Sequence, residues 1–364
     1  MPNSEKYFPA DRPNSELLEV ALGALLNEAD DSRKQMPAAN RAAEDECAAY
    51  LVKHLGDGKI RVLGVETLQQ FPNLDLTKQH FEGYGSNAVL KDGSETRITA
   101  IVDVTGSGDL VARNLGNWCA TIVFFRPGPD PKILFSMIHN SDGNTYGADE
   151  TGTFFLTPAG PKGAPLQRLK GPDKRPLSKH HDEKQPPDGL DQIAICFDGQ
   201  RSSQFTSLPY AFSAWLTNNP ARNRIRIYNL AGNSMMARLA NGENVHAIFS
   251  HAGELPHDLA PGAYIALKAG AHLLDFDVNK ITADDLAIGL LKPSRERLRY
   301  VLAGTEELAQ ELAHALRESK NAFFKCVSGC DSGTVMARDS HPPTCAKCGQ
   351  QMKEYDRRQV VRRR

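Results

Sequence analysis

The feature that most limits how this chain can fold is the pattern that sets in near residue 190. From there strand-like and helix-like stretches alternate: QIAICFD then QFTSLPYAFSAWLTNN, RIRIYNL then GNSMMARLANG, VHAIFSHA then PHDLAPGAYIALKAGA, and HLLDFD and RLRYVLAG before TEELAQELAHALRESK. Strands separated by one-faced apolar helices must form a sheet that those helices cover. In the last helix, Thr305 is placed as N-cap and Leu308, Leu312 and Leu316 share a face. Residues 15 to 55 hold two helical patterns broken near Pro37. The second carries Ala42, Ala43, Cys47, Ala48, Leu51 and Val52 at helical spacing, with Glu44, Asp45 and Glu46 toward its start. A strand, KIRVLGVE, ends on Glu66. SNAVLKDG and TRITAIVDV read as two strands around a Lys-Asp-Gly turn, and the apolar stretches from NWCATIVFF to GTFFL as an antiparallel meander turning at RPGPDP. The expected class is α/β, as a layered α+β sandwich. Its parts are an N-terminal half over 15–156, a Pro/Gly-rich insertion over 157–190, a C-terminal half over 191–320 and a tail over 321–364.

The chain of 364 residues is long enough for two packed domains or one large layered domain with an appendage. Its net charge of -1 gives no reason to expect bulk attraction to nucleic acid or membrane. No apolar run approaches the roughly 20 residues that span a bilayer, and the N-terminus lacks a basic start and an apolar stretch, so a cytoplasmic protein without membrane contact is expected. Of seven cysteines, Cys47, Cys119 and Cys196 lie in apolar or helical surroundings that suit small buried thiols. The other four cluster in the tail. His180 and His181, between Lys179 and Asp182 in the insertion, read as solvated side chains.

Chemistry enters with IVDVTGSG. The run TAIVDV suits a strand buried on both faces, and it stops on Asp103 just before TGSG. A carboxylate there can bind a hard cation while backbone N–H groups face an anion; Asp-x-x-Gly is equally good turn chemistry. Glu66 and Asp103 at strand ends and Asp258 at a helix start can converge on one Mg²⁺, although Asp258 also suits the helix dipole.

The order and wording of these stretches resemble the inositol monophosphatase / fructose-1,6-bisphosphatase superfamily of metal-dependent, lithium-sensitive phosphatases, from about residue 15 to 320. HDLAPGAYIALKAGAHLLDFD resembles the family's Trp-Asp, Ala-Ala-Gly and apolar-helix motif, with Asp258 as its aspartate and His257 replacing the tryptophan. LAGNSMMARLANGENVHAIF puts Gly232 and Ser234 where the family has a Gly-Ser pair. NTYGADETGTFFL resembles its Tyr-x-Ala-x-x-Gly-x-Gly-Ala hairpin, and NRAAEDECAAYL the helix before its Glu motif, here GVETL with Glu66. The signature Asp-Pro-(Ile/Leu)-Asp-Gly-(Thr/Ser) is matched by Asp103 and by Gly106-Ser107. Its proline is missing, the spacing is one residue short, and Thr105 stands at the second aspartate. Asp109 is a candidate replacement, and Asn40 takes a place where the family usually has an acid.

The resemblance implies an αβαβα fold and a Mg²⁺-dependent phosphomonoesterase acting on an inositol, sugar or nucleotide phosphate. Glu66, Asp103, Asp258 and the Val104 carbonyl would hold Mg²⁺. The N–H groups of Gly106 and Ser107, with Ser234, would hold the phosphate. A water made more acidic by the cation would attack phosphorus, oriented by Glu66 with Thr105 or Ser107, and a second ion would steady the leaving alkoxide. His257 and Arg113 are candidate substrate contacts, although Arg113 also suits a solvated surface. A homodimer is a common state in the family. The alternative is a degraded relative that binds a phosphorylated ligand and acts as an interaction or sensing module.

In the tail, Cys326-x₃-Cys330 and Cys345-x₂-Cys348 form two close pairs, the second followed by Gly349. Four thiolates suit a structural Zn²⁺ in a small ribbon that could not build its own core. His341 is then not needed as a ligand. The ribbon and the basic end DRRQVVRRR suggest protein or nucleic-acid contact, and a solvated tail explains those arginines equally well.

Overall fold

The computed structural model describes Val20 and residues 38–56, 58–93, 97–106, 118–158, 166–174, 192–197, 208, 210–219, 223–230, 232–294, 296–317, 321–326, 334–338, 344–345 and 347–354. Helix α1 (Ala38–Leu55) leads into strand β1 (Ile60–Gly64) and a single helical turn, α2 (Val65–Leu68). Strands β2 (Gln79–Glu82) and β3 (Val89–Asp92) form a separate ribbon. Then come β4 (Ile98–Gly106), β5 (Cys119–Arg126), β6 (Lys132–Asn140), β7 (Thr145–Asp149) and β8 (Thr153–Leu156). The first sheet has the order β1-β4-β5-β6-β7-β8. Only the β1–β4 pair is parallel, with Gly64 opposite Val102.

The second half alternates as its sequence pattern requires. It comprises β9 (Ile193–Phe197), α3 (Tyr210–Asn218), β10 (Ile225–Tyr228), α4 (Asn233–Ala240), β11 (Ala247–Glu254), α5 (Pro256–Lys268), β12 (His272–Asp275), α6 (Ala283–Leu290), β13 (Leu298–Ala303) and α7 (Glu306–Arg317). Its sheet runs β10-β9-β11-β13-β12. A third small sheet, β15 (Thr334–Arg338), β14 (Asn321–Lys325) and β16 (Lys353–Glu354), belongs to the tail. No described helix is long and apolar enough to cross a membrane.

Strand alternation assigns the apolar side chains to layers. Ala100, Val102 and Val104 of β4 face α1 together with Ile122 and Phe124 of β5, packing on Cys47, Ala48 and Leu51. Ile101 and Val123 face the other way, onto Met236, Leu259, Ala263 and Leu286 of α4, α5 and α6. Those helices also meet Ile248, Tyr300 and Leu302 of the second sheet. The far side of that sheet, with Ile195, Phe249 and Val301, is covered by Phe212 of α3 and by Leu308, Leu312 and Leu316 of α7. The layers are therefore αβαβα. Thr305 caps α7, accepting the Leu308 N–H at 3.2 Å, and Cys47, Cys119 and Cys196 are buried.

Three local expectations change. KIRVLGVE stops being a strand at Gly64, and Glu66 sits in the first turn of α2. Val89–Asp92 does not form a hairpin with β4, because β1 and β5 already occupy both sides of β4; it pairs with β2. Helix α6 adds an element whose start is written in ITADD: Thr282 and Asp285 form a reciprocal capping box. In the first sheet, a Cβ on Gly147 would lie 2.0 Å from the Phe154 ring, itself stacked on Phe135. Gly147→Ala should therefore cost about 1–3 kcal/mol through overpacking, read as a lower urea midpoint with the slope unchanged.

Candidate functional site

The parallel register of β1 and β4 delivers two carboxylates to one end of the sheet. Gly64 lies opposite Val102, so Glu66 and Asp103 follow just past the same level. A third carboxyl reaches them from α1. Glu44 is 1 % exposed, and it accepts the Glu66 N–H at 3.1 Å through Oε2 and 3.3 Å through Oε1. Burial first, and then the charges of Asp103 and Glu66, push the Glu44 carboxyl up to about 9, against the N–H bonds that favour its charge. Carboxyls are the oxygen donors a divalent cation takes, but Glu44, Glu66 and Asp103 do not come within 4.8 Å of one another as a set. Glu44 was missed as a site residue by sequence reasoning. Its signal lay in helical spacing: a carboxyl three, four and seven residues before the buried Cys47, Ala48 and Leu51 sits on the apolar face. One turn earlier, Asn40 is buried and its Oδ1 has no hydrogen-bond partner.

Beyond Asp103 the β4–β5 ladder slips. Asp103 pairs with Thr121 and Gly106 with Cys119, so Val104 and Thr105 together oppose Ala120. This bulge takes the Val104 and Thr105 main chain out of regular pairing, as bulges beside active sites do. The side chains of Thr105 and Gly106's neighbour Ser107, with Asp109, Arg113, Cys330, His341, His180 and His181, lie outside the described residues. Cys119 adjoins this end of the strand; burial, and then the Asp103 charge, push its thiol up and keep it protonated. The Ser234 N–H donates to the Cys119 sulfur, which brings the start of α4 beside Asp103.

Asp258 enters through α5. Asn233 and Ser234 are neighbours in α4, and Asn233 Nδ2 donates to the Asp258 carbonyl at 2.9 Å while Oδ1 accepts the Gly262 N–H at 2.8 Å. Those two groups are the pair that a regular helix would join. His257 is 5 % exposed; Nδ1 donates to the Pro293 carbonyl at 2.6 Å and Nε2 faces Asp258 Oδ1 at 3.3 Å. Both ring nitrogens of His257 are therefore engaged, one by Pro293 and one by Asp258. Ser234 is also buried, which leaves its main chain near the site.

The tail brings a different donor set together. Cys326, Cys345 and Cys348 are the one group of three His, Cys, Asp or Glu side chains among the described residues whose ligand atoms all lie within 4.8 Å of one another. Glu66, Asp103 and Asp258 do not close to that distance as a set. Cys326 and Cys348 sulfurs are 3.5 Å apart, too far for a disulfide and near the roughly 3.8 Å edge of a tetrahedron with 2.3 Å metal–sulfur bonds. The Cys345 N–H donates to Gln350 O and the Gly349 N–H to Cys345 O, both at 2.8 Å. Gly349, at φ 71°, permits this tight turn, which brings the Cys345 and Cys348 sulfurs within 4.8 Å of each other.

No protein-family model and no curated protein matches the chain in sequence. Solved structures match its fold. An inositol monophosphatase from Zymomonas mobilis superposes with a TM-score of 0.54 at 13% identity, covering 84% of this chain and 99% of that one. The IMPase of Thermotoga maritima gives 0.53 at 13%, covering 83% and 97%. SaIMPase-II, solved with inositol monophosphate bound, gives 0.53 at 16%, covering 82% and 92%. The chain therefore has the inositol monophosphatase fold.

The Asn233 clamp generates a test. Asn233→Ala leaves the Asp258 carbonyl and the Gly262 N–H without that buried partner, and should cost on the order of 2 kcal/mol or more. Equilibrium denaturation should show it as a lower midpoint.

Proposed function

We propose that this chain is a divalent-cation-dependent phosphomonoesterase acting on a small phosphorylated metabolite. The observation that carries the reading is the placement of Glu66 and Asp103 just past the paired ends of two parallel strands, both acting on the buried Glu44 carboxyl, in a fold shared with inositol monophosphatases. Glu66, Asp103 and Asp258, with the Val104 carbonyl released by the bulge, would hold Mg²⁺. When bound, Mg²⁺ supplies a polarised phosphoryl group and a more acidic water. Glu66 would orient that water toward phosphorus, with the Thr105 or Ser107 hydroxyl as second contact. The N–H groups of Gly106 and Ser107 would hold phosphate oxygens as glycine turns do, and Ser234, its N–H given to Cys119, would line the site without donating to phosphate. An inositol phosphate heads the candidate substrates, since SaIMPase-II was solved with inositol monophosphate bound; sugar and nucleotide phosphates share the same phosphoryl chemistry.

Zinc is the proposed metal of the tail, held by Cys326, Cys345 and Cys348 with Cys330 as fourth thiolate. It would be structural, since four sulfurs close the coordination sphere. The ribbon and the basic end would serve contact with another macromolecule. A second reading, a phosphate-binding relative without turnover, is favoured by Thr105 at the place of a carboxylate and by the spread of Glu66, Asp103 and Asp258.

Phosphate release from inositol, sugar and nucleotide phosphates, with Mg²⁺ and with EDTA, decides between the two. The enzyme reading expects Mg²⁺-dependent release that falls about a hundredfold or more in Asp258→Asn. Binding of a phosphate ester without release would establish the second reading. For the tail, purified protein should carry about one zinc per chain, released by a thiol-reactive mercurial and lost in Cys345→Ser. Protein without zinc, folding equally well, would reject that part.

A further inference from the structure

We propose that Glu44 is a positioning residue for the cation centre, fixing the main chain at Val65 and Glu66 and so the direction in which the Glu66 carboxylate points. The inference rests on the reading of Glu66 as a cation ligand. Helix α2 is one turn long, and its N-cap, Gly64, has no side chain to satisfy the first N–H groups. Glu44 does this from α1: both carboxyl oxygens lie within 3.3 Å of the Glu66 nitrogen, and the Val65 N–H also donates to it. At the other end, Gln69 Nε2 donates to Glu66 Oε2 at 3.1 Å. Glu66 is thus held by its backbone on the buried side and by its carboxylate on the open side.

The seat for Glu44 is cut in the sheet. A Cβ on Gly64 would stand 1.8 Å from Glu44 Oε2 and 2.5 Å from its Cδ. Gly64 has φ -79°, which any residue adopts, so room for Glu44 is what its missing side chain provides. Helix α1 turns a second polar group the same way. Asn40, four residues earlier and 7 % exposed, carries an Oδ1 without a partner on a face otherwise made of Ala43, Cys47, Ala48 and Leu51. Burying two polar side chains on an apolar face is costly for a mere packing surface. The Asp103 charge on β4 also acts on the Glu44 carboxyl, so this one side chain lies near both strand ends that carry the site.

The test uses the full chain and Mn²⁺ as probe, with free Mn²⁺ read by electron paramagnetic resonance and thermal melting as fold control. Glu44→Gln keeps an acceptor for the Glu66 N–H and should bind Mn²⁺ within about threefold of the unmodified protein. Glu44→Ala should weaken binding about ten- to hundredfold, the range for partners that orient a ligand. Gly64→Ala should reproduce that loss while leaving the carboxyl in the chain, and Glu44→Ala/Gly64→Ala should fall short of the sum, because both act through one contact. In metal-free protein, amide exchange over residues 64–68 should quicken in Glu44→Ala and Gly64→Ala but not in Glu44→Gln. Unchanged Mn²⁺ binding and exchange in Glu44→Ala would overturn the proposal. A loss in Glu44→Gln equal to that in Glu44→Ala would also overturn it, and would make Glu44 a ligand by its charge. If the unmodified protein ignores Mn²⁺, the cation reading falls, and the exchange comparison alone decides whether Glu44 holds Glu66. If Glu44→Ala does not fold, Glu44→Gln and Gly64→Ala carry the same comparison.

Discussion

Everything in this molecule depends on a helical layer that is buried from two sides. Helices α4, α5 and α6 lie between the inner faces of the two large sheets, so their side chains have to be apolar nearly all round. Helix α5 shows how this is met: Leu259, Ala260, Ala263, Tyr264, Ile265 and Ala266 are all buried. Small residues let the layers approach, and Gly262 lets Met236 and Asn233 of α4 come close enough that any Cβ would overlap them. The same helix carries Asp258 in its first turn. The position of a candidate ligand is therefore set by the core, and that ligand cannot shift without moving the layer that joins the sheets.

Electrostatics at the site runs against this apolar background. The charges of Asp103 and Glu66 act on the Glu44 carboxyl, which is withdrawn from water. An arrangement like this lowers stability in itself, so its retention needs a reason that core packing does not supply. Cation binding is such a reason, since it turns the mutual repulsion into affinity. The cysteine cluster follows the same logic on a smaller scale. A tail with three short strands has little core of its own, and thiolates that converge on one point can hold it through a metal.

Much of this was legible in the sequence, because repeated patterns carry it. Alternation in β4 and β5 assigns their residues to opposite faces, and the Leu308, Leu312 and Leu316 spacing assigns a face to α7. The local exceptions were harder to read. Glu66 reads as the end of a strand because its apolar neighbours continue the pattern; in the structure it lies in a helical turn whose Glu66 N–H is accepted by a side chain 22 residues away, Glu44. Val89–Asp92 has the composition to pair with β4, yet pairing depends on which edges are free, and β4 has none. Glu44 itself sits in a run of acids, Glu44-Asp45-Glu46, where only the helical period separates the buried one from its neighbours. The meeting of Cys326 with Cys345 and Cys348 was legible from spacing, since the turn around Gly349 is local.

Pro261 shows how such exceptions support one another. A proline inside a helix removes an N–H and crowds the preceding turn, which in an apolar layer should be heavily disfavoured. Here its own carbonyl accepts Ser136 Oγ–H at 2.9 Å from the first sheet, and the adjacent Gly262 N–H is taken up by Asn233. The other amide atom of Asn233 reaches back to the Asp258 carbonyl. The amide is inserted between the Asp258 carbonyl and the Gly262 N–H, the helical pair next to the one Pro261 cannot make, and it ties the first turn of α5 to the start of α4. Asn233 and Pro261 therefore make sense only as a pair. Because Ser234, the next residue, contacts Cys119 beside Asp103, the pair also connects Asp258 to the opposite wall of the site. A regular α5 with no proline would pack as well against the sheets, but it would leave no loosened turn through which α4 could hold the helix that bears Asp258.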